Sequence, residues 1–123
     1  MALPEHLPYI DRALTAYHAD IGTASSAYVT CPFNGRIVSI HYVEHAAVSG
    51  GDAAITTKIN GTSIGATGAA TIAASGSAAG VHGTITPGVT NGIVVAGDTI
   101  ELASDGAPSS VSPVTWTIVV RAG

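Results

Sequence analysis

His41-Tyr42-Val43-Glu44-His45 spells H-x-x-E-H, the pattern with which inverted zinc peptidases present two histidines and a general base. That chemistry needs a helix, because one helical turn brings residues four apart onto one face. Here the run Arg36 to Glu44 is rich in β-branched residues and predicts a strand. On a strand the two imidazoles stand about 13 Å apart, at about 3.3 Å per residue, which one zinc ion does not bridge. The pattern therefore predicts two strand-end histidines, one packed and one solvated, and no metal. Cys31 precedes Pro32 at a strand end, with no helix N-terminus to lower its pKa. It reads as a small buried hydrophobe rather than a nucleophile paired with histidine. Asp98, Glu101 and Asp105 fall within one expected hairpin, and paired carboxylates can do acid–base work or bind calcium. A calcium loop wants more oxygens at closer spacing, and Gly97-Asp98 reads more simply as a turn. Asn60-Gly61-Thr62 spells a glycosylation sequon, but Asn-Gly is first a hairpin signal. No Walker sequence, G-x-S-x-G or G-x-G-x-x-G occurs. The expectation is a protein that is not an enzyme and needs no cofactor.

The elements that hold these residues read as strands from Asp20 onward. Ser25 to Thr30 predicts a strand that stops at Cys31-Pro32, and Asn34-Gly35 turns the chain. The Arg36–Glu44 strand follows, then a loop at Ser49-Gly50-Gly51-Asp52. Ala53–Ile59 predicts a strand, answered across Asn60-Gly61 by Thr62-Ser63-Ile64. Weaker strands are expected at Ala69–Ala73, Val81–Thr86 and Ile93–Val95, and a clearer one at Thr99–Leu102. Val114–Val120 closes the chain, with Val114, Trp116, Ile118 and Val120 alternating onto one face. About eight short strands with turn signals between them predict an all-β, antiparallel sandwich or barrel. Trp116 is its natural central plug, and its buried indole N–H needs one acceptor.

Composition narrows the function classes. The chain has 123 residues, 10% of them charged and 5% aromatic, with a net charge of −4. Arg12, Arg36, Lys58 and Arg121 are its only permanent cations, which excludes the basic footprint of a nucleic-acid binder. One cysteine excludes an internal disulfide framework. No run of about 18 apolar residues predicts a membrane helix, and residues 1–8 lack the basic and apolar regions of a secretory signal. From Ile59 to Gly97 there is no Asp, Glu, Lys or Arg. A solvated surface normally carries charge, so this neutral stretch predicts either a tight β region or a surface held against another protein.

Residues 1–19 differ from the rest and are expected to form an arm or short helix, with residues 20–123 as the β-sandwich domain. Pro4 and Pro8 favour an extended entry. Beyond them, Ile10, Leu14 and Tyr17 at i, i+4 and i+7 predict a short helix. The arm's apolar and aromatic side chains, Leu3, Leu7, Tyr9, Ile10, Leu14 and Tyr17, are the expected partner interface. Deleting residues 1–17 is then expected to weaken attachment to a partner more than it unfolds the sandwich.

Three strings resemble small tailed-bacteriophage head proteins: Ala24 through Ile40, Ala53 through Gly61 followed by Ala73 through Gly80, and Val95 through Gly106 with the final strand. The resemblance covers residues 20 to 122 and rests on turn glycines, small residues and β-branched strands. The family is that of capsid decoration, or cement, proteins. It implies a jelly-roll-like β-sandwich on the outside of an icosahedral capsid, bridging major capsid protein subunits, and self-associated as a homodimer or alternatively a homotrimer. It implies manufacture in a host cytoplasm and residence on the virion exterior, with neither nucleic acid nor membrane as partner. The competing reading is a carbohydrate- or receptor-binding β-sandwich module.

Overall fold

The structure, a computed structural model, describes residues 10–88 and 91–122. Among these residues the chain forms ten strands and one 3-10 turn at Ala66–Gly68. The strands are β1 (Ile10–His18), β2 (Ser25–Thr30), β3 (Gly35–Glu44), β4 (Ala53–Ile59) and β5 (Thr62–Ser63). β6 (Ala69–Ile72), β7 (His82–Ile85), β8 (Ile93–Val94), β9 (Thr99–Ser104) and β10 (Val114–Ala122) follow. All pairings are antiparallel. One sheet runs β1-β10-β3-β7, with β8 also on β3; the other runs β2-β9-β4-β5, with β6 also on β4.

The pairing is nested: β1 takes β10, β2 takes β9, β3 takes β7 and β8, and β4 takes β5 and β6. β1 to β4 alternate between the sheets, and so do β8 to β10, while β4-β5-β6 and β7-β8 stay within one sheet each, so the chain behaves as one long hairpin rolled over itself. This is the jelly-roll form of a sandwich.

Alternation along each strand fills the space between the sheets. Val114, Trp116, Ile118 and Val120 are fully buried on β10, and they meet Ile37, Ile40, Ile55, Ile72, Ile100 and Leu102. Strand β3 breaks the alternation once. Val119 pairs Ser39 while Val120 pairs Ile37, so Val38 is an extra residue in a β-bulge. The bulge lets Ile37 and Ile40, three apart, both face the core, and it turns Arg36 outward. Two further local devices matter. Asn60 and Gly61 both have positive φ, at 52° and 83°, which a two-residue hairpin between β4 and β5 requires. Gly83 lies opposite Tyr42, and any side chain there would collide with the phenol ring.

The segment expected to be a helix is a strand wherever it is described. Ile10 to His18 pair residue for residue with Ala122 to Val114. Period two replaces period 3.6, so Ile10 and Leu14 lie on one face of β1 and Tyr17 on the other. The helical spacing was real, but β10 offered nine residues of unpaired edge, and pairing satisfied the backbone of both segments.

Trp116 shows why β1 is integral. Its indole Nε1–H donates to His18 Nδ1 at 3.3 Å, and both side chains are buried. Acceptance at Nδ1 places the imidazole proton on Nε2, which lies 2.8 Å from Ser25 Oγ. The Ser25 hydroxyl donates to the Asp20 or Thr23 carbonyl, at 2.9 and 2.8 Å. One chain of hydrogen bonds thus ties β10, β1 and the turn into β2.

Two outcomes follow. Deleting residues 1–17 removes most of β1 and is expected to abolish the cooperative melt followed by circular dichroism. Trp116→Phe strands His18 Nδ1 and leaves a cavity where the rest of the indole stood, and is expected to cost about 2–4 kcal/mol in urea unfolding.

Candidate partner-binding surface

Most of the candidates for chemistry turn out to have a structural task, Glu44 being the exception. His41 and His45 project from the outer face of the β1-β10-β3-β7 sheet, and both are exposed, so neither is packed as expected. His41 contacts Ser39 Oγ at 3.0 Å and Thr84 Oγ1 at 3.1 Å; His45 contacts Thr115 Oγ1 at 2.7 Å. Glu44, between them, points the opposite way and is 3% exposed. Among the described residues no cluster of three His, Cys, Asp or Glu side chains could hold a metal ion. Cys31 is fully buried, its thiol donating to the Phe33 carbonyl at 3.2 Å.

The three carboxylates expected in one hairpin instead bracket and line a single strand, β9. Asp98 accepts from Val95 N–H at 2.8 Å and from Asn60 Nδ2 at 2.9 Å, and these bonds hold its carboxyl below the usual range. Asp105 accepts from Ala54 N–H at 3.1 Å and Ala107 N–H at 3.0 Å. Glu101 accepts from the Ser26 hydroxyl. Asp20 works the same way at the first turn: its carboxylate accepts from Ser112 N–H at 3.0 Å, Gly22 N–H at 2.8 Å and the Thr23 hydroxyl at 2.9 Å, and its pKa falls accordingly.

Of the expected interface residues, Leu3, Leu7 and Tyr9 lie outside the described residues. Ile10 and Tyr17 are 59% and 61% exposed, but on opposite faces of β1. Leu14 is half-buried against the core and has little surface to offer a partner. Ile10, Leu14 and Tyr17 therefore do not share one exposed face.

Sequence reasoning missed a different grouping. The registers set Asp11, Arg121, Arg36 and Ile93 in one row across β1, β10, β3 and β8, on the outer face. Arg121 forms a two-pronged ion pair with Asp11, Nε to Oδ1 at 2.8 Å and Nη2 to Oδ2 at 3.1 Å. That pairing pulls the Asp11 carboxyl below its ordinary pKa. Arg36 stands directly opposite Arg121. Beside them opens a cleft of about 300 Å³, lined by Asn34, Gly35, Arg36, Ile93, Val94, Val95 and Arg121. Arg12 sits at the same end of β1, 5.5 Å over the Phe33 ring. Three of the chain's four permanent cations thus gather at one end of one sheet. No spacing in the sequence signals it, because residues 12, 36 and 121 meet only through strand register.

The neutral segment has a location too. Strands β5 to β8 all fall within residues 59–97. They form the lateral side opposite β1 and β2, and β8 supplies one wall of the cleft.

No protein-family model matches the chain, and no curated protein sequence matches it significantly. Among solved structures, dimeric latent PorU from Porphyromonas gingivalis is similar over 93% of this chain, at a TM-score of 0.55 and 14% identity. This chain spans only 13% of that one. A CBM36-1 domain of a multidomain xylanase from the hindgut metagenome of Trinervitermes trinervoides aligns with 85% of this chain and 76% of its own, at a TM-score of 0.49 and 16% identity. A structure from Desmodium yellow mottle tymovirus aligns with 94% of this chain and 86% of its own, at 0.45 and 10%. At these identities the likeness concerns fold alone.

Two buried groups set a pH dependence. Burial holds His18 below its ordinary 6.5, so as pH falls the unfolded chain takes up a proton first. The contribution is complete above 6.5 and is lost as pH drops through the folded pKa. Burial raises Glu44 above its ordinary 4.5, with Oε1 lacking a hydrogen-bond partner among the described residues. Its contribution is complete below 4.5 and is lost as pH rises through the folded pKa. Glu44→Gln removes the second effect. Urea midpoints of that variant are expected to climb from pH 5 toward 6.5, to level off above it, and to exceed wild type at pH 7.5; a flat profile from pH 5 to 6.5 would contradict the His18 assignment.

Proposed function

We propose that this protein is a structural virion protein that binds the outside of a bacteriophage capsid and stabilises it by bridging major capsid protein subunits. The observation that carries the reading is the structural employment of the reactive side chains. Cys31, Asp20, Asp98 and Asp105 hold turns and strand ends, and the two histidines of H-x-x-E-H face away from the glutamate. What remains on offer is contact surface, and a cement protein acts by contact: it adds interface that exists only in the assembled shell.

Three features support it. The sequence resembles decoration proteins over residues 20 to 122. The double-sheet jelly roll is an architecture that capsid proteins use, although lectins use it as well. The neutral side built from residues 59–97 carries few groups that are expensive to strip of water. Many weak contacts per particle suffice when copies bind a repeating lattice. The protein would be made in the host cytoplasm, act as a homodimer or alternatively a homotrimer, and need neither nucleic acid nor membrane. A carbohydrate-binding role would ask for an aromatic platform. Trp116 is buried, and the exposed Tyr17 and Tyr28 lie on the outer faces of different sheets.

The test is addition of the purified protein to undecorated heads. Co-sedimentation with the heads and a raised temperature of genome release are expected. Absence of both, with hits on a glycan array, would transfer the assignment to the carbohydrate module.

A further inference from the structure

The cleft between β3, β8 and β10 combines two features that are unfavourable to the free protein. Arg36 and Arg121 occupy directly opposite positions on adjacent antiparallel strands, where like charges destabilise a sheet. Asp11 compensates Arg121, but no ion pair of Arg36 occurs among the described residues. Its nearest register partner on the other side is Ile93, which is 55% exposed, and Val95 beyond it is 57% exposed. A guanidinium that has no direct ion pair among the described residues, and that feels Asp11 only through its field, is complementary, beside two uncovered aliphatic side chains, to a carboxylate carried next to an aliphatic group.

We propose that this cleft docks an acidic, aliphatic segment of a partner protein, with a side-chain carboxylate received by Arg36 and an apolar neighbour laid against Ile93 and Val95. Arginine suits the task, since its planar fork meets a carboxylate with two parallel hydrogen bonds. A polyphosphate ligand fits less well. Asp11 stands in the same row, the walls are apolar, and the chain is net negative. The walls are also fixed in place. Asn34 Oδ1 accepts from Ala96 N–H at 2.9 Å, and Gly35 packs against the Arg121 carbonyl so closely that a Cβ would clash. A second copy of this chain is a poorer occupant, because among the described residues Asp11, Asp20, Asp52, Asp98, Glu101 and Asp105 already accept hydrogen bonds within their own chain, and Glu44 is buried.

The inference rests on the reading of the chain as a contact protein, and it is tested without a capsid. The probe is an acetylated peptide, Ala-Leu-Glu-Val-Asp-Ala amide, titrated into isotopically labelled protein and followed by amide chemical shifts. Saturable shifts are expected at Gly35, Arg36, Ile93 and Val94, weakening as salt is raised. Arg36→Gln is expected to weaken binding about tenfold while leaving the melting temperature unchanged or higher, since it relieves the facing charges. Ile93→Ser is expected to weaken binding without altering its salt dependence. Equal binding of the same peptide with Gln and Asn in place of its Glu and Asp, equal shifts with inorganic phosphate, or no shifts at the cleft would each overturn the proposal. So would a change in the sedimentation of the free protein with Arg36→Gln, which would make a second copy the occupant. If wild-type protein binds the peptide but not heads, the cleft stands and the virion reading fails. If it binds heads but not the peptide, the reverse holds.

Discussion

The indole of Trp116 occupies the middle of the sandwich, and its single N–H must be answered inside the protein. A chain with one tryptophan and 5% aromatics has no other side chain large enough to fill that space. The acceptor is His18 on β1, and the ring of Tyr42 on β3 closes in at 5.5 Å. The tryptophan therefore fixes the positions of both strands flanking β10. From His18 the bonding continues through Ser25 to the backbone of the first turn, so the second sheet is tied to the first through the same residue. A buried polar chain of this kind is stabilising because every member is satisfied.

Around that centre the charged residues act locally. Asp20, Asp52, Asp98 and Asp105 each accept backbone N–H groups at a loop or strand end. A jelly roll has many connections, and each leaves backbone donors that need partners. Short acidic side chains meet that need at close range. This use ties the acids to the backbone beside them and leaves little free charge on the surface. The one place where charge concentrates is the arginine end of the β1-β10-β3-β7 sheet, where three strands distant in sequence bring their cations together.

Much of this was legible in the residues. The strands from Ser25 onward fall where β-branched runs and turn dipeptides place them, and the Asn60-Gly61 hairpin is as read. The inward face of β10 is the alternating set Val114, Trp116, Ile118 and Val120. The H-x-x-E-H residues lie on a strand and at its end as read, with Glu44 pointing inward while His41 and His45 point out. The segment Ile10–His18 was misread. Its apolar spacing fits a helix, and the deciding fact, an open edge on β10, lies about a hundred residues away.

The sequence by itself determined the class of the protein: all-β, poor in charge, built around one tryptophan, with its acids placed at turns. Those features are local, because alternation and turn preference act over a few residues. Tertiary structure alone decided which residues face one another. A bulge at Val38 shifts the alternation of β3 by one residue, which sends Arg36 outward to stand opposite Arg121 and beside Ile93. Side-chain direction in a strand has period two, so a single extra residue reverses it for everything beyond. The H-x-x-E-H residues are divided between the two faces of β3 by the same rule. The arginine row is assembled by register from residues that no motif connects.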